Sequence, residues 1–214
     1  GLLVGLAIAA AGRMLKRCSV PGASQIAGAV FIAVCGFVIA GERNYLFPAQ
    51  PVTDNRLFFG GNPCREVMAV ADYIKANSTP ESRIAVIGSE PAIYFYSHRR
   101  SATGYIYTYA LMERHRYALA MQQEMIREIE AAQPEFLVWV SDTRSWLAAP
   151  DSDQTIIQWA NRYTRDAYNL VGVADQCASG SVYRWGAEAG SYRTQSDSFV
   201  LVFQRRAPLS KTIA

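Results

Sequence analysis

The sequence predicts an α/β protein in two parts, a membrane segment followed by an extracytoplasmic α/β sandwich with a mixed, mainly parallel sheet. Three observations predict it. Residues 1–41 contain no Asp or Glu, and every acidic residue lies from Glu42 onward. The stretch Ala23–Gly41, ASQIAGAVFIAVCGFVIAG, is uncharged and has about the 20-residue length that crosses a hydrocarbon core as a helix. Beyond Pro63, short β-branched runs alternate with segments of helical periodicity, and the order closes on further strand-like runs.

The membrane part spans 1–41. Gly1–Gly12, GLLVGLAIAAAG, is too short to span and reads as the cut end of an earlier helix. Arg13, Lys16 and Arg17 fall in a basic loop, 13–22, and account for the whole net charge of +3, because the remaining 18 basic residues match 18 acidic ones. The positive balance therefore reports topology and gives no reason to expect nucleic acid as a partner. The positive-inside rule puts that loop in the cytoplasm, so the helix leads outward and the rest of the chain lies outside a bacterial inner (plasma) membrane, in periplasm or exterior. A cleaved signal peptide fits less well, since no basic leader precedes the first apolar run.

A connector, 42–62, scatters Tyr45, Leu46, Phe47, Phe58 and Phe59 among Pro, Gly and Asn without periodicity. These side chains suit either the lipid interface or the cap of a core. The outer domain, 63–206, opens with Asn62-Pro63 as a helix start and Val67, Val70, Ala71 and Ile74 on one face. RIAVIGS, 83–89, reads as a buried strand ending in a turn. A helix from about Arg116 to Ala132 follows, stopped by Pro134, and EFLVWVS, 135–141, is a second buried strand. Asp151 and Gln154 have capping-box spacing ahead of a helix carrying Ile156, Trp159, Ala160 and Tyr163. YNLVGVA, SVYRW and SFVLVFQ complete the strands, the last two reading as a hairpin, and the tail 207–214 as frayed.

Chemistry is sparse. No GxGxxG or GxxxxGK[ST] occurs, and IGSEPAIYF puts a Glu and a Pro where a phosphate cradle needs N–H donors, which argues against nucleotide binding. No GxSxG elbow accompanies the two histidines, His98 and His115, and no Cys or His spacing suits a metal. Cys64 and Cys177 fall in the outer domain, where an oxidising compartment permits a disulfide; two free buried thiols are the alternative. Glu90, Asp142 and Asp175 each follow a strand-like run and are able to converge at one sheet edge as an acid–base pair, although strand-end acids serve equally as caps and ion-pair partners. Asp151-Ser152-Asp153 has the outline of a metal-binding DxD, which helix capping explains more simply.

The densest polar and aromatic stretch is Gly88–Tyr107, GSEPAIYFYSHRRSATGYIY. Arg99 and Arg100 suit a phosphate or carboxylate clamp, and Glu90, Tyr94, Tyr105 and Tyr107 offer a carboxylate, hydroxyls and flat faces for a sugar. Against that, Ile93, Tyr94, Phe95 and Tyr96 are equally suited to fill a core while the arginines pair with Glu90 and Glu113.

The order of features resembles the C-terminal end of bacterial GT-C membrane glycosyltransferases related to dolichyl-phosphate-mannose protein mannosyltransferases. It does so through the aromatic connector LFFGGNPCREVMAVADYIKANS, through RIAVIGSEPAIYFYSHRRSATGYIYTY, MIREIEAAQPEFLVWV and the terminal FVLVFQRR, with 88–109 the most specific segment. The resemblance implies a polytopic enzyme that takes a sugar from a polyprenyl-phosphate carrier to an acceptor at the outer face. It places the catalytic Asp in an early extracytoplasmic loop that these residues do not include. No catalytic residue is carried over to this chain. The implied partners are the bilayer, the rest of the transmembrane bundle, the lipid-linked donor and a glycan, lipid or protein acceptor, with no cofactor evident in these residues. A tethered binding or interaction module without enzymatic activity is the alternative.

Overall fold

The computed structural model describes residues 2–47 and 64–206, in two compact units that divide between Phe59 and Gly60.

The first unit holds helices α1 (Leu2–Arg17), α2 (Ala23–Gly41) and the single turn α3 (Arg43–Leu46). Helix α1 continues through Arg13, Lys16 and Arg17, which the sequence reading puts in a loop. Met, Leu, Lys and Arg are good helix formers, and cations are favoured at a helix C-terminus. The turn to α2 is made instead by Ser19 and Gly22, both left-handed (φ 53° and 74°) on either side of Pro21. A Cβ on Gly12 would stand 3.0 Å from that of Ala27, so the two helices meet through small residues. With a mean hydropathy of 2.1 and 6% of its length buried, α2 is long and apolar enough to cross a membrane. Its exposed Phe31, Ile32 and Phe37 are unsuited to water. Of the connector, Leu46 and Phe47 are exposed, whereas Phe58, Phe59, Asn62 and Pro63 and the side chain of Tyr45 lie outside the described residues.

The second unit is a six-stranded sheet with helices on both faces. In chain order it runs α4 (Cys64–Ala76), β1 (Arg83–Ile87), α5 (Ala92–Ser97), β2 (Arg100–Ser101), α6 (Tyr109–Met112), α7 (Ala118–Ala132), β3 (Phe136–Ser141) and α8 (Thr143–Trp146). Then come α9 (Thr155–Ala167), β4 (Tyr168–Cys177), β5 (Gly180–Trp185), α10 (Ala187–Ser191) and β6 (Phe199–Arg205). The strand order is β2-β1-β3-β6-β4-β5.

Two expectations are corrected here. The sheet is mixed but not mainly parallel: β1 runs parallel to β2 and β3, while β3–β6, β6–β4 and β4–β5 are antiparallel. The hairpin is β4–β5, not β5–β6. Strand β6 is apolar on both sides, with Val200 and Val202 in one core cluster and Phe203 packed on the other, so it belongs between neighbours. The partly exposed β5 takes the edge.

Val67, Val70 and Ile74 of α4 pack with Ile93 of α5 on Ile84, Val86, Phe136, Val138, Val140, Val200 and Val202. On the opposite face Met125 and Ile129 of α7 and Ile156, Trp159 and Ala160 of α9 cover Ala85, Ile87, Leu137 and Tyr168. Gly172 sits where a Cβ would come within 2.6 Å of the Trp185 ring, and that ring stacks on Tyr73 of α4 at 4.5 Å. Ahead of α9 the expected capping box is replaced: Thr155 N donates to Asp153 Oδ1 at 2.8 Å, and Asp151 pairs with Arg114 at 2.9 Å.

Candidate functional site at the carboxyl ends of β1 and β3

Strand β2 lies on one side of β1 and β3 on the other, so the chain leaves β1 in one direction and returns in the other. In an open α/β sheet that switch point opens a crevice outside the carboxyl ends of the strands. Here the two ends are Gly88-Ser89-Glu90 and Ser141-Asp142.

Gly88 is required by both conformation and space. Its φ is 151°, and a Cβ would stand 2.7 Å from Val140 Cβ and 3.0 Å from Ser145 Oγ. This close approach lets Ser89 N donate to Ser145 Oγ at 2.7 Å. Thr108 N donates to Ser89 Oγ at 3.0 Å, and the Thr108 hydroxyl donates to Ser145 O at 3.2 Å. The turn after β1, the loop after β2 and the turn after β3 are thereby fastened together.

Asp142 caps α8. Its Oδ1 accepts from Arg144 N and Arg144 Nε, both at 2.9 Å, and its Oδ2 accepts from Arg144 Nη2 and Ser198 Oγ, both at 2.7 Å. Burial presses its carboxyl upward, but the bonds from Arg144 and Ser198 outweigh it and hold the group below the ordinary carboxylate range. Half-buried Glu90 goes the other way. Burial, then the Asp142 charge, push it up to about 7, against weaker opposition from Ser145 and Arg144. Tyr109 is raised by burial and by the Glu90 charge, in spite of a bond with Ser89.

Two carboxyls held so far apart in acidity resemble an acid and base pair. Yet a general base needs an open lone pair, and Asp142 spends both oxygens on its own chain with a side chain 3% exposed. The arrangement can bind and orient. Asp175, the third acid of the sequence reading, is fully buried inside β4 rather than in the crevice. It accepts from Tyr192 OH (3.0 Å), Gln195 N (2.6 Å) and Ser196 Oγ (2.6 Å), and so fixes the segment leading into β6.

Beside Asp142 lies a groove of about 390 Å³, walled by Trp139, Trp146 and Phe199 and edged by Ser141, Thr143 and Asp197. The two indoles are 5.2 Å apart and tilted by 41°, and Trp146 is oriented by its Nε1 donating to Val140 O at 2.8 Å.

The six residues singled out in the sequence do not share one site. Glu90 is in the crevice, and Tyr107 is exposed with its ring 5.7 Å from that of Tyr109. Tyr94 points inward, its hydroxyl accepting from Val86 N at 2.9 Å, and burial raises its pKa. Arg99 is buried: Nε donates to Ser78 Oγ, Nη1 to the carbonyls of Ser97 and His98, and Nη2 to those of Lys75 and Ser78. Arg100 is exposed on β2. The Tyr105 hydroxyl donates to Glu124 at 2.5 Å, and burial first, then that carboxylate, push it up to about 12. Neither arginine pairs with Glu90 or Glu113. Cys177 is a free thiol, and the side chain of its expected partner Cys64 lies outside the described residues.

Sequence reasoning missed Arg144, Ser145, Trp139, Trp146 and Ser198. The run Asp142-Thr-Arg-Ser-Trp directly after a strand carries a capping signal that points to the first two; nothing local marks Ser198. Among the described residues no group of three or more His, Cys, Asp or Glu is placed to hold a metal ion. Comparison with family models, curated proteins and solved structures returns no match.

Proposed function

We propose that this chain is the C-terminal, non-catalytic portion of a polytopic membrane glycosyltransferase that uses a polyprenyl-phosphate sugar donor, and that its outer domain holds carbohydrate in the groove beside Asp142. In this reading α2 spans the membrane and the second unit lies on the extracytoplasmic side. The groove carries the proposal: flat aromatic faces for a sugar ring, with the Ser141 and Thr143 hydroxyls and the Asp197 carboxylate at the edge for its hydroxyl groups, in a cleft within the size range of ligand sites. Support comes also from α2 and from the resemblance, whose most specific segment, 88–109, contributes the crevice through Gly88, Ser89, Glu90 and Thr108. The filled valences of Asp142 favour holding over reacting, which suits a tethered binding module equally well.

Saturation-transfer NMR on the full chain in nanodiscs, with methyl mannoside and maltose as probes, tests the groove. Transfer to the sugar ring protons that Phe199→Ala and Thr143→Ala weaken supports the reading; no transfer to either sugar overturns it. The coding sequence upstream of Gly1 separates transferase from module. Several more apolar spans with an acidic first outer loop support the former, and a nearby start codon supports the latter.

A further inference from the structure

We propose that Arg83 and Arg100, side by side at the amino ends of β1 and β2, form a binding site for a phosphate group. The two residues are register partners in the parallel pair, about 4.8 Å apart at the strand spacing, and their side chains leave the same face. Like charges directly opposite on neighbouring strands are destabilising. Both arginines are exposed, and among the described residues neither guanidinium has a hydrogen-bond or ion-pair partner. Arg127, Arg162 and Arg193 are likewise exposed and unpaired among the described residues, but each stands alone, whereas Arg83 and Arg100 are opposite each other in register. A like-charged pair whose guanidinium donors are unbonded is what an anion site requires.

The surroundings add donors. Arg83 lines a groove of about 550 Å³ with Ser101, Thr103, Gly104 and Glu128. Thr103 Oγ1 already accepts from Tyr105 N at 2.8 Å, which leaves its proton to donate outward. Glu128 is the opposing charge, with its Oε2 accepting from Gly104 N at 2.9 Å. Arg83 offsets Glu128 along the groove, so the charge of Arg100, its register partner on β2, is the excess that attracts an anion. Each planar fork matches two oxygens of an oxyanion, so a tetrahedral phosphate can bridge both forks, whereas a carboxylate is filled by one. The clamp that the adjacent Arg99 and Arg100 suggest in the sequence is thus made across strands, with Arg83 in place of Arg99.

Calorimetric titration of inorganic phosphate into the full chain in phosphatidylcholine nanodiscs tests this. Binding is expected at about 1 mM or tighter, weakened about tenfold by Arg100→Gln and abolished by Arg83→Gln with Arg100→Gln. In phosphate-free buffer Arg100→Gln is expected to leave the outer domain as stable as the parent or more so, because the repulsion is relieved. Undiminished binding in the double variant overturns the proposal, as does a loss of stability for Arg100→Gln without phosphate. Replacing part of the phosphatidylcholine with phosphatidic acid distinguishes the source. Suppressed titration identifies a lipid headgroup, and an unchanged one identifies a soluble or sugar-borne phosphate.

Discussion

Ser198 and Asp142 are 56 positions apart in the chain and 2.7 Å apart in the fold, the Ser198 hydroxyl donating to Asp142 Oδ2. The residue preceding β6 therefore secures the end of β3, and with it the wall of the groove. Ser198→Ala removes one bond to a buried carboxylate and is expected to cost about 1–3 kcal/mol in denaturant unfolding. Asp142 should then titrate at higher pH than in the parent.

Glu90 sets a pH dependence of definite sign. Its carboxyl is raised from 4.5 to about 7 in the fold, so its contribution to stability is fully present below 4.5 and is lost as pH rises through about 7. Asp142 is lowered from 3.8, so its contribution is present above that value and lost on acidification. Urea unfolding of the outer domain at intervals from pH 5 to pH 8 should show stability falling, and Glu90→Gln should flatten that slope.

The neighbours Arg99 and Arg100 should behave oppositely. Arg99→Ala leaves the carbonyls of Lys75, Ser78 and Ser97 without their donor inside the domain and is expected to destabilise it by about 2–4 kcal/mol. Arg100→Ala, on an exposed strand residue, should stay within about 0.5 kcal/mol. Paired melting curves decide the matter.

A charge in the middle of α2 tests the span. Phe31→Arg is expected to cost about 3 kcal/mol of apparent insertion energy and to release the chain from carbonate-washed membranes. Retention of the variant at the parent's level would argue against a span at Ala23–Gly41.

What the sequence disclosed follows from what is local. The apolar faces of α4, α7 and α9 and the buried runs of β1 and β3 are written in periodicity, and each appears where that periodicity puts it. Strand β2 did not register, because two residues carry no pattern. Pairing partners were also illegible: nothing near Phe199–Arg205 states that it will lie between β3 and β4. The same limit applies at the site. Glu90 and Asp142 stand at strand ends and invited attention, whereas the valences that Arg144 and Ser198 fill depend on loops meeting across the sheet.

Strand β6 is the last strand of the described chain and occupies the interior of the sheet. Until it arrives, β2-β1-β3 and β4-β5 are separate ribbons with bare apolar edges. Nascent chains grow from the N-terminus, so the unit closes only after nearly all of it has been delivered. If this unit lies outside a membrane, it must cross as an open chain, and its vulnerable interval is that of export, when unpaired edges invite chaperones, proteases or other nascent chains. Truncation just before Phe199 would then be sensed as a failure of delivery, long before any question of binding arose.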